Sequence, residues 1–258
     1  MIRHAVTARM RTVVTAALCA GLLVLVACSS GSSKRAPTPT STPLSAEAFR
    51  AAASTAADLV LLKSSDLPAG WSGSPHTPAS MTGFTGECTP LNPEDPITGS
   101  ALSKSSDDFA SQKDDEAGSQ ADVFTSADAA STSFTSLISV IAKCRDQMVA
   151  LHKALYTRWG PALLGITDPR AVPDDVQVSL VNLRGPGYGD ASAAYRLAFG
   201  FTVGDVRVAG ESDVVFIRTG AIVTGVTYTA VSGGTPLTDQ IAKAIADRMA
   251  QANRTLPQ

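Results

Sequence analysis

Histidine, aromatic residues and clustered positive charge are what this 258-residue chain has least of. It carries three histidines, 5% aromatic residues and four cysteines. Only His76 and His152 lie beyond residue 28, in unrelated sequence contexts, so neither a histidine-based zinc site nor a Ser-His-Asp arrangement has the parts it needs. No Gly-x-Ser-x-Gly turn is present to present a nucleophilic serine. All 23 acids lie after Cys28, whereas three of the 21 bases precede it, leaving 18 bases against 23 acids and a net charge of −5 beyond that point. There is no basic block, which argues against nucleic acid as a partner, because phosphate binding requires clustered Lys and Arg.

What is present begins at the N-terminus. Residues 1–12 hold Arg3, Arg9 and Arg11 and no acid, and residues 13–27 are almost wholly apolar without a charge. A basic start and an apolar run of this length make a secretory signal, too short for a stable membrane-spanning helix. The run ends in Leu25-Val26-Ala27-Cys28, which resembles the lipobox of bacterial lipoproteins. The expectation is a signal peptide at 1–27, lipidation of Cys28, and a membrane partner held through that lipid at the outer face. Residues 29–45 are rich in Ser, Thr and Pro and cannot bury enough surface to order themselves, so 28–45 reads as a flexible tether. Residues 46–258 then form the folded domain. Abundant Ala, Ser, Thr and Gly with little Lys fit an actinobacterial source.

Cys19 lies in the signal and Cys28 is the lipid site, so only Cys88 and Cys144 enter the domain. Two cysteines in an exported domain are expected to form a disulfide; metal binding is the weaker reading.

Hydrophobic periodicity places a helix over 45–63, capped by Ser45, with Phe49, Ala52, Ala56, Leu59 and Leu62 on its apolar face. A turn follows at 65–71, and the Pro- and Gly-rich stretch 72–100 reads as irregular, held by Cys88. Residues 102–119 are polar, with Asp114-Asp115-Glu116 expected in a solvated turn. A strand at 121–124 leads to a helix capped by Ser126 that runs to about Gln147; 148–159 could be helix or strand. From 174 onward apolar residues alternate, giving an antiparallel meander, ended by Gly233-Gly234. Pro236 opens a last helix with a Leu237, Ile241, Ile245, Met249 stripe. The fold class expected is α+β, an antiparallel sheet with helices packed on one face.

The order of these features is helix, Asp66-Leu67-Pro68-Ala69-Gly70 turn, Cys88 loop, strand and helix from Ala121 to Cys144, strand pair from Ser212 to Val223, then a final helix. It resembles the extracellular sensor domain of mycobacterial receptor serine/threonine kinases of the PknH-like kind, and lipoproteins that carry such domains. The resemblance covers roughly 50–255 and implies helices against an antiparallel sheet, with a cleft for an unknown ligand. That family typically has two disulfides and a tryptophan shortly before the helix cysteine; this chain has cysteines for one bridge, and Ile141 stands three residues before Cys144.

Three functions remain in view. The leading one is a non-catalytic ligand-binding or sensing domain with no cofactor or metal; the others are an envelope hydrolase using distant carboxylates or a serine, and a structural scaffold. The adjacent acids Asp107-Asp108, Asp114-Asp115 and Asp174-Asp175 point apart and make no catalytic pair by adjacency alone. The glycines of Arg184–Gly189 join two strands and lack the context of a phosphate loop. Trp71 and Trp159 are the candidates to line a ligand cleft, with burial in the core as the bland alternative.

Overall fold

The computed structural model describes residues 45–77, 84–91, 96–163, 166, 172–231 and 237–257. Cys28, the signal, all but the last residue of the tether, Gly233-Gly234 and Pro236 lie outside the described residues.

Helix α1 (Ala46–Val60) starts where the sequence places it: the Ser45 hydroxyl accepts the N–H of Ala48 at 3.2 Å. Its buried strip is Ala53, Ala56, Ala57 and Val60, while Phe49 and Leu59 sit at the margin of the core. The predicted face is therefore rotated. Alanine occurs all round this helix, so hydrophobicity alone does not identify the side on which small residues permit close packing. A 3-10 turn at Ser64–Asp66 leads into a short strand, β1 (Ser72–Ser74), in the stretch expected to be irregular.

Strands β2 (Leu102–Ser105), β3 (Asp108–Ala110) and β4 (Glu116–Val123) form the next part of the sheet. β4 pairs with β2 along its second half and with β3 along its first half. Ser106 marks the interruption between them: its N–H donates to the Ser119 carbonyl and its hydroxyl accepts the Ser119 N–H. This polar stretch is thus strand rather than loop.

Helix α2 (Ala127–Lys143) is capped by Ser126, whose hydroxyl accepts the Ala129 N–H at 3.1 Å. It ends earlier than expected, because Cys144 leaves helical geometry (φ −96°, ψ 10°) before α3 (Arg145–Leu163) begins. Residues 148–159 are therefore helical. The meander follows as β5 (Asp174–Leu183), β6 (Ala191–Val203), β7 (Val206–Thr219) and β8 (Ile222–Val231), and α4 (Thr238–Arg254) closes the fold. Ile241, Ile245 and Met249 of the predicted stripe are fully buried.

All strand pairs are antiparallel, in the order β1-β3-β4-β8-β7-β6-β5, with β2 also on β4. The α+β class holds, but the helices do not share one face. Helices α1 and α4 cover a first face through Val215, Ile217, Ile222, Val226 and Tyr228. Helices α2 and α3 cover the second through Leu180, Tyr195, Leu197, Phe216 and Val223. The physical reason is that the central strands are apolar on both sides: Val215 and Ile217 point one way, Val214 and Phe216 the other. Among the described residues no helix is long and apolar enough to cross a membrane.

Two side chains fix the ends of the first layer. Arg248 of α4 donates to the Leu59 and Leu61 carbonyls and, through both terminal nitrogens, to the Asp66 carboxylate at 2.8 and 2.9 Å. It thereby closes the open C-terminus of α1 and holds the turn that leads to Trp71. At the β7–β8 turn Gly220 has φ +56°, and Asn253 of α4 accepts the Ala221 N–H at 3.0 Å.

Candidate functional site

A polar and aromatic group lies on the first face, where the strand register sets Arg196, Asp213, Tyr228, Ala117 and Phe109 side by side across β6, β7, β8, β4 and β3. Asp213 is buried and fully engaged. It accepts from Arg196 Nε at 2.7 Å and Nη2 at 2.9 Å, and from the Thr238 hydroxyl at the start of α4 at 3.0 Å. Arg196 also meets Glu211 at 2.7 Å. Beside Asp213, Tyr228 is 2% exposed, and its ring centroid lies 6.2 Å from that of the half-buried Trp71, tilted by 41°. Burial, followed by the charge of Asp115 and a hydrogen bond with it, pushes the Tyr228 phenol up to about 12.

Asp115 completes the group. It precedes β4 by one residue and ends a tight turn in which Ser111 N–H donates to the Asp115 carbonyl, while Ser111 Oγ accepts the N–H groups of Lys113 and Asp115. Asp114 takes the left-handed conformation (φ 65°) needed to close it. Asp115 is 7% exposed, and its Oδ1 is buried without a hydrogen-bond partner. A buried acceptor left unmatched costs roughly 1–3 kcal/mol. The sequence expectation of a solvated Asp114-Asp115-Glu116 turn is therefore corrected: Asp115 is folded inward against Tyr228, and Glu116 enters β4.

The second face carries two carboxyls with raised pKa. Glu116 is pushed up to about 7, first by burial and then by the Asp108 and Asp114 carboxylates. Asp122 is raised to about 6 by burial, against hydrogen bonds from Gln120, Ser103 and the Ile97 N–H, the last at 3.1 Å. Six residues along one strand separate them by about 20 Å. Glycosidase carboxyl pairs stand roughly 5–9.5 Å apart, so these two do not converge on one bond. Asp122 instead pins the segment before β2 to β4.

The two predicted tryptophans are not brought together. Trp71 joins the core of the first face beside Tyr228. Trp159 lies on α3, on the other side of the sheet, 43% exposed with the Arg158 guanidinium 5.1 Å from its ring centroid. Cys88 and Cys144 form the disulfide, with Cα atoms 5.7 Å apart, joining the 3-10 helix Gly86–Leu91 to the junction of α2 and α3. His76 meets Asp108 at 2.7 Å, and His152 Nδ1 lies 2.8 Å from the Met148 carbonyl one turn back. Burial lowers the His152 pKa. The Arg184–Gly189 segment joins β5 to β6. Among the described residues no group of three or more His, Cys, Asp or Glu side chains is placed to hold a metal ion. Sequence reasoning missed Asp115, Tyr228, Asp213 and Arg196, because only the strand register makes them neighbours.

No protein-family model matches the chain. No curated protein matches it in sequence. Among solved structures, the extracellular domain of PknH from Mycobacterium tuberculosis is similar at a TM-score of 0.41 and 11% identity, over 83% of this chain and 98% of that one. This is a weak structural resemblance.

Proposed function

We propose that this chain is a cell-envelope lipoprotein, held through Cys28 at the outer face of a membrane, whose α+β domain binds or senses a ligand without catalysing a reaction. The observation that carries the binding part is the buried Asp115 carboxylate beside Tyr228, with one oxygen unmatched. An unmatched buried acceptor is stabilised by any ligand that brings it a donor. The anchor rests on the residue pattern up to Cys28 and on the tether that follows it. A hydrolase is the weaker reading, since Glu116 and Asp122 have raised pKa values but lie far apart on β4. Native mass spectrometry of the chain extracted in detergent from its own host tests the proposal. The expected spectrum shows a diacylglyceryl mass on a chain that begins at Cys28, and a non-covalent adduct that leaves on collisional activation. An unlipidated chain overturns the anchor; a lipidated chain without adduct overturns the binding function.

A further inference from the structure

We propose that the sheet edge made by β1 and β3 is a pH-operated latch, closed on β4 while the Glu116 carboxyl holds its proton and locally open once that proton passes to water. The latch is independent of the binding function proposed above. The edge is lightly held. β3 meets β4 at Phe109 opposite Ala117 and at Ala110 opposite Glu116, and β1 adds three residue pairs outside it, whereas β4 pairs with β8 along its whole length. Elements so attached lie at the low end of local stability. Glu116 stands inside the weak contact. Asp108, two residues from Ala110 on the same face of β3, is its diagonal neighbour, and like charges on paired strands destabilise them. Asp108 is also the clasp of β1: its Oδ1 lies 2.7 Å from His76 Nδ1, and its Oδ2 accepts the Thr77 N–H at 3.0 Å.

The charged groups that act on Glu116 share its sign. Burial works first against its ionised form, and the carboxylates of Asp108 on β3 and Asp114 in the turn work the same way. From β8, Thr229 stands opposite and is neutral, its hydroxyl donating to Ser212. From α3, the Tyr156 phenol has its pKa raised by burial and then by the Glu116 charge, so it stays neutral as well. His76 is engaged with Asp108, Lys113 is exposed in the turn, and Asp115 turns to the other face against Tyr228. With its proton, Glu116 is a neutral acid beside the clasp, and the edge closes. Without it, a second anion stands in a partly buried place next to Asp108. Water reaches that anion at least cost when β3 and β1 give way, because β8 fixes β4. Opening uncovers Phe109, which is 5% exposed in the closed edge, and the outer rim of β4.

Hydrogen exchange read by mass spectrometry tests this on the full-length chain in neutral detergent, at pH 6 and pH 8, corrected for the intrinsic pH-dependence of exchange. A carboxyl that titrates at about 7 when closed and near 4.5 when open makes the opening equilibrium of the edge about tenfold larger at pH 8 than at pH 6. Peptides covering 72–77 and 107–111 should show that change, and peptides from β6, β7 and β8 should not. Glu116→Gln keeps the shape but cannot ionise, so the ratio for the edge should fall below about threefold, with a cooperative thermal melt showing the chain folded. A ratio of about tenfold that persists in the folded Glu116→Gln chain overturns the latch. So does edge exchange that is the same at both pH values, or an equal rise in β6, β7 and β8, which would be a loosening of the whole fold.

Discussion

Glu116 is held in the fold at a protonation state it would not choose in water. Its pKa is about 7 in the folded chain against an ordinary value of 4.5, owing first to burial and then to Asp108 and Asp114. A raised carboxyl pKa means that the folded state binds the proton more tightly than the unfolded one. Stability from this residue is therefore greatest below about 4.5, declines as pH rises through 4.5 to 7, and is fully lost above. Glu116→Gln removes that loss. At pH 8 it should stabilise the chain by about 2 kcal/mol, a figure discounted for partial exposure, and raise Tm by several degrees. At pH 5 the gain should fall to about a quarter of that. Asp122 also titrates in this range but is common to both proteins, so it cancels in the difference. Thermal melts of the two chains at both pH values check this; a gain of equal size at pH 5 and pH 8 would refute the assignment.

At the scale of elements, the joint between α1, the Ser64–Asp66 turn and α4 depends on Arg248. Burial works against the charged form of Asp66, but the Arg248 hydrogen bonds and charge and the Lys63 N–H outweigh it, and the carboxyl lies below its usual range. Arg248→Met would leave the Asp66 charge, whose side chain is 7% exposed, without its partner, and two carbonyls at the end of α1 without a donor. A cost of about 2–3 kcal/mol is expected, below that of a fully buried pair because the contact is part-buried. Adding Asp66→Asn should recover part of it, because the stranded charge is then gone. Urea melts of the single and double variants measure both. This joint was not legible in the sequence, since 182 positions separate Asp66 from Arg248. Local signals fared better: Ser45 and Ser126 cap the helices they were expected to cap, and the alternation of β6 and β8 fixed the meander. The polar segment 102–119 defeated periodicity because its strands pair through serines, small residues and acids rather than through a continuous apolar face. The candidate site was hidden for the same reason as the joint: of its members the sequence offered only Trp71, and Tyr228 and Asp115 join it through register and a turn.

Across the whole molecule, the disulfide secures the second layer. The loop before β2 was expected to be held by the bridge and only poorly by packing, yet Phe84, Leu91 and Ile97 are buried against α2, and Ser133 Oγ donates to the Thr98 carbonyl at 2.7 Å. The fold should therefore survive loss of the bridge. Cys88→Ser with Cys144→Ser is expected to cost about 2–4 kcal/mol while keeping the native circular dichroism spectrum at room temperature. Urea denaturation gives the number, and a double variant that is unfolded without denaturant would contradict it. The bridge also limits how far the chain can be drawn out. It joins residues 56 positions apart, so a molecule pulled from its two ends conceals a span of about 190 Å that tension cannot release. Reduction of the bridge under tension lengthens the stretched chain by that amount. Optical-tweezer traces taken with and without reductant should differ by one step of that size.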